Sequence, residues 1–286
     1  MLKKSRKRRR RKRPTGQTFT RLIPHIITVG ALCAGLTGVR FALDEKWEYA
    51  VIAIAIAAVL DTLDGAMARL LKSASDFGAE LDSLSDVIAF GVAPAMIVYF
   101  WSLSAAGGVA WAAALFFAVC CALRLARFNS TMETRPPWAY NYFSGVPAPA
   151  GALMALAPII ISFEIGRGYL DHPMVAGIWL TVVALLMVSR LPTYSFKQFK
   201  VPHRYIVPML VLIGFLVAGL SGSPWVTLVI CGGVYVGSFP FSARSYERLR
   251  RAAEQLQDES KDDGDDGDSS GEEPAEEPRP AHLRPV

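Results

Sequence analysis

Charge is scarce in this chain and unevenly spread. Of its 286 residues only 19% are charged, against 52% apolar. A water-soluble globular domain carries more charge and a disordered chain far less apolar surface, so both classes are excluded. Cysteine is sparse too. Cys33, Cys120, Cys121 and Cys231 all sit inside apolar runs, with no C-x-x-C spacing. That excludes a disulfide framework and a zinc site, and fits small thiols packed between helices. No Gly-Lys dipeptide occurs, so a P-loop nucleotide site is excluded as well.

The charge that exists collects at the ends. Lys3 to Arg13 hold ten bases and no acid, while Asp258 to Val286 hold eleven acids and three bases. Residues 1–18 read as a basic arm, 19–245 as a transmembrane domain and 246–286 as an acidic, disordered tail. A polybasic segment before a first span orients the protein and tethers it to anionic lipid, at about 1 kcal/mol per base near the surface. Nucleic acid is not expected as a partner. The apolar run that follows is too long for a signal peptide.

Eight apolar segments lie between the charged ends, near 22–43, 47–71, 84–102, 105–127, 146–166, 172–190, 204–221 and 223–243. They are mostly unbroken runs of Ala, Val, Leu, Ile, Phe and Gly, whereas a closed barrel would alternate polar and apolar residues. The expected fold is an all-α polytopic membrane protein with about eight transmembrane helices. Eight spans put both termini on one side. The connections on that side carry Arg69, Lys72, Arg124, Arg127, Arg135, Arg190, Lys197, Lys200 and Arg204; the opposite face has only Arg40, Lys46 and Arg167. Both termini are therefore expected in the cytoplasm, with the chain in the inner, cytoplasmic membrane. The glycosylation pattern Asn129-Ser130-Thr131 falls on the cytoplasmic side and is discounted.

One stretch breaks the membrane pattern. Asp61-Thr62-Leu63-Asp64-Gly65-Ala66-Met67-Ala68-Arg69 is followed, eight residues on, by Gly78, then Asp82 and Asp86. Ionisable residues at the end of a span are costly and mark function. Asp61 and Asp64 are spaced i, i+3, and Asp82 and Asp86 i, i+4, so each pair shares a helix face. Residues from Arg69 to Gly78 can turn the chain and bring the faces together. Pairing with bases does not account for the acids, because Arg69 and Lys72 are too few to match four aspartates plus Asp76 and Glu80. Hard divalent cations, two of them, would neutralise the cluster, and Mg²⁺ or Mn²⁺ suits oxygen ligands. Such paired metals serve phosphoryl and pyrophosphate chemistry.

The pattern D-x-x-D-G-x-x-A-R, eight residues, G-x-x-x-D-x-x-x-D resembles the signature of the CDP-alcohol phosphatidyltransferase family at every fixed position. The resemblance implies a six-helix core and a metal-held pyrophosphate of a CDP-linked donor. An acceptor hydroxyl attacks and CMP leaves. It further implies that Asp61, Asp64 and Asp82 are metal ligands, and that Asp86 is a further ligand and the base, so that Asp82 and Asp86 count as catalytic. Asp64, Gly65, Ala68, Arg69 and Gly78 would hold the nucleotide. A homodimer is also implied.

Asp86-Val87-Ile88-Ala89-Phe90-Gly91-Val92-Ala93-Pro94-Ala95, Arg124 to Asn129, Tyr142 to Pro149 and Tyr194-Ser195-Phe196-Lys197 resemble the phosphatidylserine synthase branch, which takes CDP-diacylglycerol and L-serine. Serine offers a carboxylate that needs a fixed cation. Arg127 with Asn129 is one candidate, Arg124 another for that group or for phosphate, and Lys197 a weaker one. One departure stands out: Pro24-His25 replaces the Pro-Asn common in the family's first span, which leaves any first-helix contact to the nucleotide open. Alternatives are another acceptor, such as glycerol 3-phosphate or inositol phosphate, a membrane transporter, or a scaffold acting through the charged tails. No broken-helix pair in matching halves supports a transporter.

Overall fold

The apolar stretches become helices, and proline sets where several begin. The computed structural model describes residues 22–71, 75–131, 142–189, 192–194 and 206–238. The basic arm, the acidic tail and Lys197 lie outside the described residues. Helix α1 (Ile23–Leu43) starts at Pro24 and turns through Asp44 and Glu45 into α2 (Trp47–Leu70). Pro173 opens α8 (Pro173–Val188) and Pro224 opens α10 (Pro224–Gly237). Proline suits a first turn, where its missing N–H would have no helical partner.

The third span starts earlier than its hydropathy indicates. Helix α3 (Asp76–Asp86) continues through a π-helical stretch, Val87–Val92, into α4 (Ala93–Trp101). An apolar reading places the start near 84 because the first turns, D-F-G-A-E-L-D-S-L-S-D, are polar. The start is set instead by Ser75, whose Oγ accepts the Gly78 N–H at 3.1 Å. Gly78 therefore sits in the helix, and the turn lies before it. A short 3₁₀ segment, Leu103–Ala106, leads into α5 (Gly107–Thr131).

The next span is two short helices in line, α6 (Ala148–Ala155) and α7 (Ala157–Ile165). α9 (Ile206–Gly222) precedes α10. Among the described residues five helical spans are long and apolar enough to cross a bilayer, and α8, α9 and α10 are shorter apolar helices. Each of the eight expected segments is helical over its described residues, in a multi-pass membrane protein.

The fold is all-α, as expected, with one small addition. Strand β1 (Tyr142–Ser144) pairs antiparallel with β2 (Pro192–Tyr194), Tyr142 opposite Tyr194. Three-residue strands carry too little alternation to show in a sequence. Gly145 follows β1 with φ +80°, and a Cβ there would run into the Met187 carbonyl oxygen, so only glycine fits.

Small residues let the helices close on one another. α1 lies along α2 and meets the π stretch at Gly35, where an added Cβ would fall 2.8 Å from the Ala89 Cα. Phe90, Phe117, Ile54 and Leu180 are fully buried, while Ile56, Val119, Leu185 and Phe215 stay exposed on outer faces. An apolar perimeter of that extent belongs in lipid. Within this frame α1, the last turns of α2 and the start of α3 surround one polar spot.

Candidate active site

All four aspartates singled out by spacing converge. Single carboxylate oxygens of Asp61, Asp64 and Asp82 lie within 4.8 Å of one another. The i, i+3 pair projects from the end of α2, and Asp82 faces it from the second turn of α3. Asp64 is buried, at 5% exposure, and the other two are half-buried. Asp86, one turn further along, is within hydrogen-bonding reach of Asp61 and in electrostatic contact with Asp82 and Arg124. Three hard oxygen donors so close together fit a divalent cation.

A cleft of about 170 Å³ opens beside the carboxylates. Gly65 and Ala68 form its α2 wall, Gly78 and Asp82 its α3 wall, and His25 and Thr28 its α1 wall. Gly78 is required by packing. A Cβ on it would lie 2.5 Å from His25 Cε1. His25 in turn meets the Phe77 ring edge-on, with centroids 5.7 Å apart. The first helix thus contributes to the cleft even with histidine in the place of asparagine. Arg69 is exposed and folds back toward Gly65, its Nη1 3.8 Å from where a Cβ would sit.

The two arginines of α5 differ. Arg124 is buried, at 7% exposure, beside Asp86 and Cys121, with Tyr235 of α10 also in electrostatic range. Its Nε has no hydrogen-bond partner among the described residues. Arg127 instead donates from Nη1 to the Val188 carbonyl at 3.0 Å and from Nη2 to the Ser189 carbonyl at 3.1 Å. It caps the end of α8, where carbonyls lack helical partners. Asn129 donates from Nδ2 to Ser83 Oγ at 2.9 Å, next to Asp82.

Sequence reading gave no role to Thr28, whose hydroxyl donates to Asp64 Oδ2 at 2.7 Å. It also missed Ser83, Ser85 and Tyr235. Thr28 carries one usable signal: a hydroxyl four residues after Pro24 in an apolar span needs a partner.

The sequence profile described as CDP-alcohol phosphatidyltransferase matches residues 21–191, which include every one of these carboxylates. The chain belongs to the CDP-alcohol phosphatidyltransferase family. A second profile, CDP-alcohol phosphatidyltransferase 2, matches residues 204–240 and so takes in α9 and α10. Among curated proteins, the chain is similar to a CDP-diacylglycerol–serine O-phosphatidyltransferase of Mycobacterium tuberculosis, 36% identical over 242 residues, 84% of each chain. One from Helicobacter pylori is 30% identical over 197 residues, covering 68% of this chain and 81% of the relative. One from Bacillus subtilis is 33% identical over 176 residues, covering 62% and 92%. Membership of the CDP-alcohol phosphatidyltransferase family makes the chain a transferase and sets aside the transporter and scaffold readings.

Proposed function

We propose that this protein transfers the phosphatidyl group of CDP-diacylglycerol to L-serine, giving phosphatidylserine and CMP. The convergence of four carboxylates beside a cleft, at the end of two membrane helices, is the observation that carries the chemistry. The names borne by the relatives favour serine as acceptor.

In this reading Asp61, Asp64 and Asp82, with Asp86 adjoining, hold two divalent ions, Mg²⁺ or Mn²⁺. When bound, these ions supply the positive charge that stabilises the pyrophosphate as it breaks. Gly65, Ala68 and Gly78 keep the cleft walls low enough for the nucleotide to approach the backbone, and Arg69 balances charge at its mouth. The serine hydroxyl gives its proton to the Asp86 carboxylate. Its oxygen bonds to the lipid-side phosphorus as the bond to CMP breaks, and CMP leaves with the electron pair. Arg124, beside Asp86, is our candidate to hold the acceptor carboxylate or the phosphate. Arg127 and Asn129 brace the surrounding helices, and Lys197 stays a candidate by sequence alone.

Purified enzyme given CDP-diacylglycerol and Mg²⁺ or Mn²⁺ should release CMP with serine. It should release none with glycerol 3-phosphate or inositol phosphate. Release with one of those acceptors alone would overturn the assignment.

We place the aspartates and both termini on the cytoplasmic side of the inner membrane. The basic arm then contacts anionic lipid, the tail is solvated, and the protein works as a homodimer. A reporter inserted between Ala105 and Gly108 should label from outside the cell. Cytoplasmic labelling there would reverse the orientation.

A further inference from the structure

Helix α1 brings no carboxylate to the cluster, yet its Thr28 ties together the two helices that do. The residue is buried, at 4% exposure. Its hydroxyl lies 2.7 Å from Asp64 Oδ2 and 3.0 Å from the Pro24 carbonyl oxygen. The hydroxyl has one proton for these two acceptors. A bond to an ionised carboxylate is shorter and roughly twice as strong as one to a neutral carbonyl, so the proton goes to Asp64.

The ordinary use of a threonine in a membrane helix is the bond to the carbonyl four residues back. Thr37, Thr62 and Thr181 do this, to Cys33, Ala58 and Gly177. Thr28 departs from them by reaching a carboxylate on another helix. Its backbone oxygen is engaged as well: Ser85 Oγ donates to it at 3.2 Å. Ser85 is buried and directly precedes Asp86. One residue of α1 thus holds Asp64 of α2 through its side chain and the Asp86 turn of α3 through its backbone.

A carboxylate rotates easily about its last torsion, so a burial site alone does not aim it. Asp64 is held from two sides, by Thr28 and by the N–H of Gly65. We propose that Thr28 is a positioning residue for metal binding, fixing the Asp64 carboxylate so that it faces Asp61 and Asp82. This rests on the reading of those aspartates as metal ligands. Groups that orient a ligand in this way typically contribute 10- to 100-fold to metal affinity, on the order of their loss when mutated.

The test is Mn²⁺ titration followed by electron paramagnetic resonance, on full-length protein without substrate, alongside thermal unfolding. The wild type should bind Mn²⁺. Thr28→Val should raise the Mn²⁺ Kd by about 10- to 100-fold, with an unchanged unfolding midpoint. Thr28→Ser should restore wild-type affinity, and in an Asp64→Asn background Thr28→Val should have no further effect. Equal affinity of wild type and Thr28→Val would overturn the positioning role and leave the metal reading standing. Absence of Mn²⁺ binding by the wild type would overturn the metal reading itself, and this inference with it. If Thr28→Val does not fold, Thr28→Ala replaces it. Failure of both to fold would also overturn the inference, because the hydroxyl would then serve the fold and not the ion.

Discussion

Asp82→Asn is expected to stop CMP release, by a factor on the order of 10³ or more, while the helices stay folded. The amide keeps the shape of the side chain and one of its oxygens, so packing in α3 is undisturbed. What it removes is one negative charge from a place where three carboxylate oxygens lie within 4.8 Å. A hard cation loses an anionic ligand there, and the remaining charge no longer suffices to hold it against water. The same change relieves like-charge repulsion in the metal-free protein. The variant should therefore unfold at the wild-type temperature or above it when measured in chelator. Activity and metal-free stability move in opposite directions, which separates loss of a ligand from loss of a fold. CMP release by detergent-solubilised protein and a thermal melt in EDTA measure both. Full activity, or a collapsed melt, would refute the role given to Asp82.

Much of this was legible because the membrane imposes a simple code. Long apolar runs must be helices, since every backbone group has to find its partner within the segment. The eight segments could therefore be marked from composition alone. The aspartates stood out for the complementary reason, that a bilayer boundary does not tolerate four acids without a task. Spacing at i, i+3 and i, i+4 put each pair on one face, and the structure joins the faces.

What stayed hidden depends on single polar contacts. The start of α3 is set by one capping bond from Ser75, eight residues before the hydropathy rises. The pairing of Tyr142–Ser144 with Pro192–Tyr194 is specified by the ends of distant helices and by one glycine. Thr28 reads as an unremarkable threonine until the fold brings Asp64 to it. Arg127 is the instructive case. Beside Asn129 at the end of a span it reads as an anion-binding fork, but the structure directs both terminal nitrogens to carbonyls of α8. A helix end offers a guanidinium the same partial negative charge that a carboxylate would, and sequence does not distinguish the two acceptors.

That difference makes Arg124 and Arg127 separable by experiment, although they lie one turn apart on the same helix. Arg127→Ala removes two charge-assisted bonds from partly buried carbonyls at the end of α8. Bonds to charged groups contribute about 1.5–3 kcal/mol each, so the variant should melt well below the wild type. Its activity per folded molecule should change little. Arg124→Gln should do the reverse. Its guanidinium lies beside Asp86 and Cys121, within the site rather than across a helix end. Glutamine fills similar space and keeps a donor, so packing against Cys121 survives. The cation facing the reacting groups is lost, and kcat/KM for serine should fall by about 10²-fold. Measuring kcat/KM and the melting midpoint of both variants on one preparation decides between the assignments. If Arg127→Ala keeps its stability and loses serine turnover, the fork that binds the acceptor is Arg127, and Arg124 serves another end of the site.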